Sequence, residues 1–502
     1  MKNIDFEKWR HMIGAVAGPL CALLLWFTPI EGLSPEPHHM LAIMSWIAIW
    51  WISEPVPIPV TSLLGPTLCV ILEIAPIKDA FDNFANPMIF LFMGSFLLAK
   101  AIMVHGLDKR FAYGLLSSKW VGDSPRRIFL AIGVAAMLCS GWISNTATAA
   151  MMFPIALGLL EAIREMMAQN GQTIDLTKYK YATGLMLMTA YACSIGGVMT
   201  PIGTPPNMIM LGFLEQLAPD APKISFFQWM LWGIPAMILY FVLAAVVLWR
   251  LFPADMNHIK GANTFIAKYV SELGPWNRAQ KNTVFAFGVA IVLWIIPSIA
   301  KPILGSSEII TLYEKSFPEA IGAMVGGLLL FLLPVNLSKG EATLSWKQGV
   351  EGIDWGTIVL FGGGLSMGAM IYTTGLSDWI GNGLKVITGS NPSEWLFVGV
   401  FSVFALVLSE LTSHTAATNL IAPIAIGTAL SLGFSPVPVV IGIALSSSLG
   451  FMLPVSTPPN AIVYASGYVP LTKMVKSGII IDFFGILFIT LPLVILLVKA
   501  VI

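Results

Sequence analysis

The sequence predicts an all-α integral membrane protein of about eleven transmembrane helices plus two re-entrant hairpins, arranged as an inverted repeat. Three observations carry this. Of the 502 residues, 56% are hydrophobic and 11% charged, with a mean hydropathy of +0.81, whereas soluble domains carry about 25% charged residues. The apolar residues fall in stretches of about 20, the length needed to cross a bilayer. A set of polar and helix-breaking residues recurs in both halves of the chain at fixed offsets.

The elements follow in order. Met1 to Arg10 is charged and leads into an apolar stretch without a small-residue cleavage site, so it is read as a retained first span at 11–30. Further spans are predicted near 38–52, 57–76, 84–105, 183–213, 227–250, 283–300, 317–335, 355–376, 438–466 and 477–499. Two other apolar stretches, about 128–160 and 396–432, are interrupted by Ser, by Asn or His, and by Thr. Each is expected to be a hairpin that returns to its own side. With the N-terminus inside, 21 of the 27 Lys and Arg residues fall on inner segments, the exceptions being Lys78, Lys223, Lys301, Lys315, Lys385 and Lys499. That is the bias the positive-inside rule requires. Residues 251–282, with Pro253, Asp255, Lys260 and Lys268, form the polar connection between halves.

The repeat is visible residue by residue. Ser140, Ser144, Asn145, Thr146 and Pro154 recur as Ser409, Ser413, His414, Thr415 and Pro423, each displaced by 269 positions. Phe92, Gly94, Gly106 and Leu107 recur as Phe361, Gly363, Gly375 and Leu376 at the same offset. Thr204-Pro205-Pro206-Asn207 recurs as Thr457-Pro458-Pro459-Asn460, 253 positions on. Five crossings lie between the spans bearing Phe92 and Phe361, an odd number, so the halves are inverted. Inverted repeats with interrupted helices are the architecture of secondary transporters that bind solute near the midplane.

The chemistry follows from helix ends. Ser, Thr and Asn are favoured N-caps and Pro is favoured at the first helical position. Thr204 should therefore cap a helix that starts at Pro205, and Thr457 one that starts at Pro458, because proline inside a helix costs about 3 kcal/mol. Each tetrad marks a tip where another helix starts. Four helix N-termini aimed at one cavity, each with unpaired N–H groups and roughly half a positive charge, make an anion site. Its lining would be Ser144, Asn145, Thr146, Thr204 and Pro205 from one half and Ser413, His414, Thr415, Thr457 and Pro458 from the other. Oxygen ligands without formal charge at Ser140, Ser144 and Gly203, and at Ser409, Thr412 and Ser456, suit Na+.

Ser144-Asn145-Thr146 and the two Thr-Pro-Pro-Asn segments resemble the signature of the divalent anion/sodium symporter family, carriers of di- and tricarboxylates or sulfate. The resemblance extends over nearly the whole chain. It implies a homodimer in the cell membrane with an elevator-type mechanism. Residues 1–120 and 256–376 would be scaffold, and 121–255 and 377–502 the transport domain. It also implies one Na+ site at Ser140, Ser144, Asn145 and Gly203, and a second at Ser409, Thr412, His414 and Ser456. The expected substrate is a small dianionic carboxylate of the succinate, malate or fumarate type, with citrate or sulfate as alternatives. The chain departs from the family pattern at His414, where Asn is usual. A neutral imidazole would replace Asn as a hydrogen-bonding group, whereas an imidazolium would take the place of a sodium ion and favour exchange.

Other features read as structural. Cys21, Cys69, Cys139 and Cys193 lack metal-ligand spacing and read as small core residues. Glu410 reads as a paired structural carboxylate or, alternatively, a proton carrier. Lys100, His105 and Glu54 read as structural, His38-His39 as a loop pair, and Trp50 and Trp51 as an interfacial belt. Gly364-Leu365-Ser366-Met367-Gly368 matches the nucleophile-elbow spelling, but an apolar span is not the strand–turn–helix that a hydrolase needs. A channel is disfavoured by the hairpins. No catalytic residue and no nucleic-acid partner is expected: basic and acidic residues balance at 27 each, and no Walker motif is present.

Overall fold

The computed structural model describes residues 6–169, 174–256, 258–259, 262–304, 307–388 and 393–501. Residues 1–5 and Lys260, on which the readings of the inner N-terminus and of the connection draw, lie outside them. The described chain is helical apart from a two-stranded hairpin, Pro334–Asn336 with Glu341–Ala342. Nine helices among the described residues are long and apolar enough to cross a membrane, or ten if the bent pair Glu308–Ser316 and Glu319–Leu332 is one span.

Local sequence sets the helix ends. Ser225 and Gln228 form a capping box that starts Phe226–Leu251, and Asn86 caps Pro87–Val104 through Met88 N–H. Gly106 and its repeat mate Gly375 both adopt positive φ (66° and 80°) where a long helix gives way to a short one, which only glycine does without strain. Four apolar stretches are broken helices, interrupted where their polar or Thr-Pro residues lead one to expect. The 183–213 span is Lys180–Val198 followed by Pro205–Leu217, and the 438–466 span is Pro436–Ser447 followed by Pro458–Ala465. The two hairpins are Pro125–Ser140 with Asn145–Gln169, and Glu394–Leu411 with His414–Ser431.

The helix Lys180–Val198 is buried at every residue from Tyr181 to Val198. It packs against Pro125–Ser140, Asn145–Gln169, Phe226–Leu251 and, from the other half, Pro458–Ala465. Reciprocally, Pro205–Leu217 packs on His414–Ser431 and Pro436–Ser447. The second segment of each broken helix therefore sits against the hairpin of the other half, Pro205–Leu217 on His414–Ser431 and Pro458–Ala465 on Asn145–Gln169. A smaller apolar cluster, with Met40, Ile47, Cys69, Met367 and Ile371, joins Pro35–Ser53, Ile58–Ile71 and Trp355–Thr373. Phe92 and Phe361, repeat mates, meet edge to face with centroids 5.5 Å apart. Contact between equivalent residues is what an axis relating the two halves produces.

Three structural readings need correction. Trp51 is buried, not interfacial, and its indole N–H donates to Ser62 Oγ at 3.1 Å. His38 and His39 lie in the first turns of Pro35–Ser53 rather than in a loop, and His39 stacks on Trp26 at 3.9 Å. Cys69, Cys139 and Cys193 are buried as expected, but Cys21 is only partly so. Glu54 does close a turn, at φ 50° with Arg10 4.0 Å away. His105 meets Thr343 O at 2.7 Å.

Candidate functional site

In the first half the chain leaves the helix at Gly141 and re-enters it at Asn145. Ser144 is the hinge: its Oγ accepts from Ala147 N–H at 3.3 Å and its carbonyl from Thr148 N–H at 3.0 Å. The N–H groups of Asn145 and Thr146 have no partner among the described residues, and Thr146 is exposed. Ser140 Oγ–H donates to Asn145 Oδ1 at 2.6 Å inside the core. That bond orients the amide.

The broken helix beside it supplies further oxygens. Asn207 Nδ2–H donates to the carbonyls of Gly197 (3.1 Å) and Thr200 (2.8 Å), bridging the gap between Val198 and Pro205. Thr200 Oγ1–H donates to Gly141 O. A Cβ placed on Gly203 would lie 2.5 Å from Gly197 O and 2.9 Å from Ser140 O, and one on Gly197 would lie 2.2 Å from Asn145 Oδ1. Two carbonyls thus occupy the side-chain position of Gly203 and an amide oxygen that of Gly197, a cradle of oxygens that only the missing side chains allow. All are neutral hard donors, and among the described residues no group of three or more His, Cys, Asp or Glu side chains is placed to hold a metal. The donor set fits Na+ and no soft or multiply charged transition metal.

The second half repeats the scaffold and changes the contents. Ser413 Oγ accepts from Ala416 N–H at 3.2 Å, leaving the N–H groups of His414 and Thr415 without partners among the described residues. Asn460 Nδ2–H bridges Gly450 O (3.1 Å) and Leu453 O (3.0 Å), each acceptor 253 residues beyond its first-half counterpart. Here Ser456 stands where Gly203 does, Glu410 where Gly141 does, and His414 where Asn145 does. Ser456 Oγ–H donates to Glu410 Oε2 at 2.7 Å, and Met452 and Leu453 donate their N–H groups to the same carboxylate at 2.9 and 3.2 Å. The Asp482 carboxyl faces that of Glu410 and is buried beside the Phe451 backbone N–H. His414 Nε2 is buried and unpartnered; it and the Ser456 Cβ each lie 3.1 Å from where a Gly450 Cβ would be. Ser409 Oγ–H donates to Ser447 O at 2.6 Å and Thr412 Oγ1–H to Ser413 O at 3.2 Å. Protein groups therefore fill the space that is the oxygen cradle in the first half.

Two expectations about the Thr-Pro-Pro-Asn helices are corrected. Thr204 (φ −145°) and Thr457 (φ −157°) do occupy the N-cap position, but neither hydroxyl caps. Pro205, Pro206, Pro458 and Pro459 have no N–H, and the N–H groups of Asn207 and Asn460 go to Thr204 O (3.3 Å) and Thr457 O (3.1 Å). These ends offer a hydroxyl and a dipole but no free N–H. Of these four helix starts, only the two tetrad ones present unpaired amides among the described residues. Pro205 is partly exposed and Pro458 exposed, so both rings border accessible space.

Gly197, Gly450 and Asp482 are the residues sequence reasoning missed. The two glycines were detectable, since they obey the 253-residue offset. Asp482, the single carboxylate in an apolar span, carried the signal of an ionisable group in hydrocarbon. Ser366, whose hydroxyl is buried without a partner, sits inside the continuous helix Trp355–Thr373 and builds no nucleophile elbow.

Repeated broken helices with helix starts in the membrane are the architecture of secondary transporters, and the comparisons with known proteins point to a transporter, not an enzyme. The family model described as "Sodium:sulfate symporter transmembrane region" matches residues 7–499. The chain belongs to this divalent anion:Na+ symporter family. It is 34% identical over 486 residues to the sodium-dependent dicarboxylate transporter SdcS of Staphylococcus saprophyticus, covering 96% of this chain and 90% of that protein. With SdcS of Staphylococcus aureus strain RF122 it shares 33% over 472 residues, covering 93% and 88%. Its fold is similar to that of the YdaH transporter of Alcanivorax borkumensis, with a TM-score of 0.56 at 13% identity over 99% of this chain and 98% of that one.

Proposed function

We propose that the protein is a Na+-coupled secondary carrier of small dicarboxylates of the succinate, malate and fumarate type. The observation that carries the reading is the pairing, where two helix breaks of the first half meet, of the cradle at Gly203 with the free amides of Asn145 and Thr146. An oxygen cage for a monovalent cation and an anion-binding helix start, sharing Asn145, couple the two solutes through one side chain. The carboxylates would be held by the free amides of the two tetrad helices and by the hydroxyls of Thr146, Thr415, Thr204 and Thr457. In this reading Ser140, Ser144, Asn145, Gly197 and Gly203 form the Na+ site. Residues 121–255 and 377–502 move as an elevator against a scaffold of 1–120 and 256–376 in a homodimer, with the N-terminus on the cytoplasmic side of the cell membrane. The sodium-dependent dicarboxylate transporters among the relatives support the choice of solutes.

A second reading, Na+-independent dicarboxylate exchange, is favoured by one observation: Ser456, Glu410 and His414 fill the second-half counterpart of the cradle. The deciding experiment is uptake of labelled succinate into proteoliposomes, with and without Na+ and with and without internal dicarboxylate. Na+-driven uptake into vesicles lacking internal substrate establishes the symporter. Uptake that needs internal dicarboxylate and ignores Na+ establishes the exchanger, and preference for citrate or sulfate over succinate would reassign the substrate.

A further inference from the structure

We propose that the face between Pro125–Ser140 and Phe226–Leu251 is a binding site for one anionic glycerophospholipid. A groove of about 300 Å³ opens between these helices, lined by Arg126, Phe129 and Leu130 on one wall and by Phe241, Val242, Ala245, Val246, Trp249 and Arg250 on the other. The spacing is that of two helix faces: i, i+3, i+4 on the first, and pairs one turn apart on the second. The apolar part faces outward, with Val242 52% and Val246 42% exposed.

The charged end is built by helix termini. Arg126 is in the first turn of its helix and Arg250 in the last turn of the other, so both stand at the same end of the groove. Neither guanidinium has an ion-pair or hydrogen-bond partner among the described residues, whereas the neighbouring Arg127 is spent on Trp120 O at 2.7 Å. Trp249 stands beside them, fixed by Phe129 and Tyr181 at 5.6 and 6.4 Å between centroids. From Arg250 to Phe241 the helix rises about 13 Å at 1.5 Å per residue. That is close to half of a hydrocarbon core about 30 Å thick, the depth of one leaflet. Two unpaired arginines at the head and one leaflet of apolar wall below match a phosphate-bearing headgroup with an acyl chain beneath it, the basic pocket between spans that anionic lipids occupy.

The test measures lipid, not transport. Purified protein is delipidated and titrated with phosphatidylglycerol, with phosphatidylcholine of the same chains, and with inorganic phosphate, using native mass spectrometry. Wild type should retain phosphatidylglycerol over phosphatidylcholine. Arg126→Gln/Arg250→Gln should weaken phosphatidylglycerol roughly 30-fold. Val246→Trp, which obstructs the apolar wall and leaves both arginines, should also weaken it. Each variant must keep the wild-type elution volume and melting temperature; Arg250→Lys, which keeps the charge, should retain binding and serves where the double variant misfolds. Undiminished phosphatidylglycerol binding by Arg126→Gln/Arg250→Gln overturns the proposal. So does phosphate binding as tight as lipid binding, unaffected by Val246→Trp, which would make the arginines a simple anion site.

Discussion

Adding one methyl group at Gly203 should disable Na+ coupling without touching a side chain. The Cβ of Gly203→Ala would lie 2.5 Å from Gly197 O and 2.9 Å from Ser140 O, inside the 3.0 Å limit that real Cβ atoms respect. Both atoms are backbone oxygens, so neither can swing aside, and reaching ordinary contact at 3.4 Å moves Gly197 O by about 0.9 Å. Gly197 O also accepts from Asn207 at 3.1 Å, so the shift strains the bond that bridges the break. Overpacking of this kind costs about 1–3 kcal/mol. If that cost falls on the ion-loaded cage, Na+ binding weakens roughly 5- to 150-fold. The assay is the Na+ concentration for half-maximal succinate uptake in proteoliposomes, with Na+-dependent thermal stabilisation as a measurement independent of transport. Gly288→Ala, where a Cβ meets nothing within 4 Å, should behave as wild type. A folded Gly203→Ala protein with unchanged Na+ dependence in both assays would refute the assignment of the cradle.

Three further outcomes are expected. Thr146→Ala and Thr415→Ala should each remove a charge-assisted hydrogen bond worth about 1.5–3 kcal/mol and weaken succinate roughly 10- to 150-fold, with melting temperature unchanged; unaltered affinity in both places the anion elsewhere. His414→Asn should strengthen Na+-driven uptake into vesicles lacking internal dicarboxylate, because it removes the residue that departs from the first-half pattern; steep, cooperative Na+ dependence already present in wild type would show that His414 acts as a neutral ligand. Glu410→Ala should lower thermal stability markedly, since it strands the Met452 and Leu453 amides, each lost partner costing about 1–3 kcal/mol, while Ser456 Oγ keeps the Glu410 carbonyl as acceptor; Glu410→Gln keeps a side-chain acceptor and should lose less. Equal melting temperatures for the two variants would contradict this account.

Much of the site was legible in the residues because its signals are local. Helix breaks announce themselves through proline after threonine, and the Ser413 and Ser144 caps lie within three residues of the amides they accept from. The absence of free N–H groups at Pro205-Pro206 and Pro458-Pro459 was equally legible, since proline has no N–H, yet it is the burial and bonding of Asn207 and Asn460 that made it count. The repeat was legible because both halves retain the same residues at constant offsets, down to Phe92 and Phe361, which meet in the folded chain.

By itself, then, the sequence determined the membrane class, the duplication and the positions of the helix breaks, all of which depend on composition and on residues adjacent along the chain. Tertiary structure alone decided what each break encloses. The first cradle is made mostly of backbone oxygens, which every residue carries and no sequence pattern distinguishes; it exists because Lys180–Val198 packs on Pro125–Ser140 closely enough to bring Gly197 O and Ser140 O to one point. In the second half the same packing brings Ser456 onto Glu410, 46 residues away, and Asp482 against that carboxylate. Two breaks with nearly the same spelling thus hold different interiors, because the side chains that fill or leave open the space arrive from distant helices.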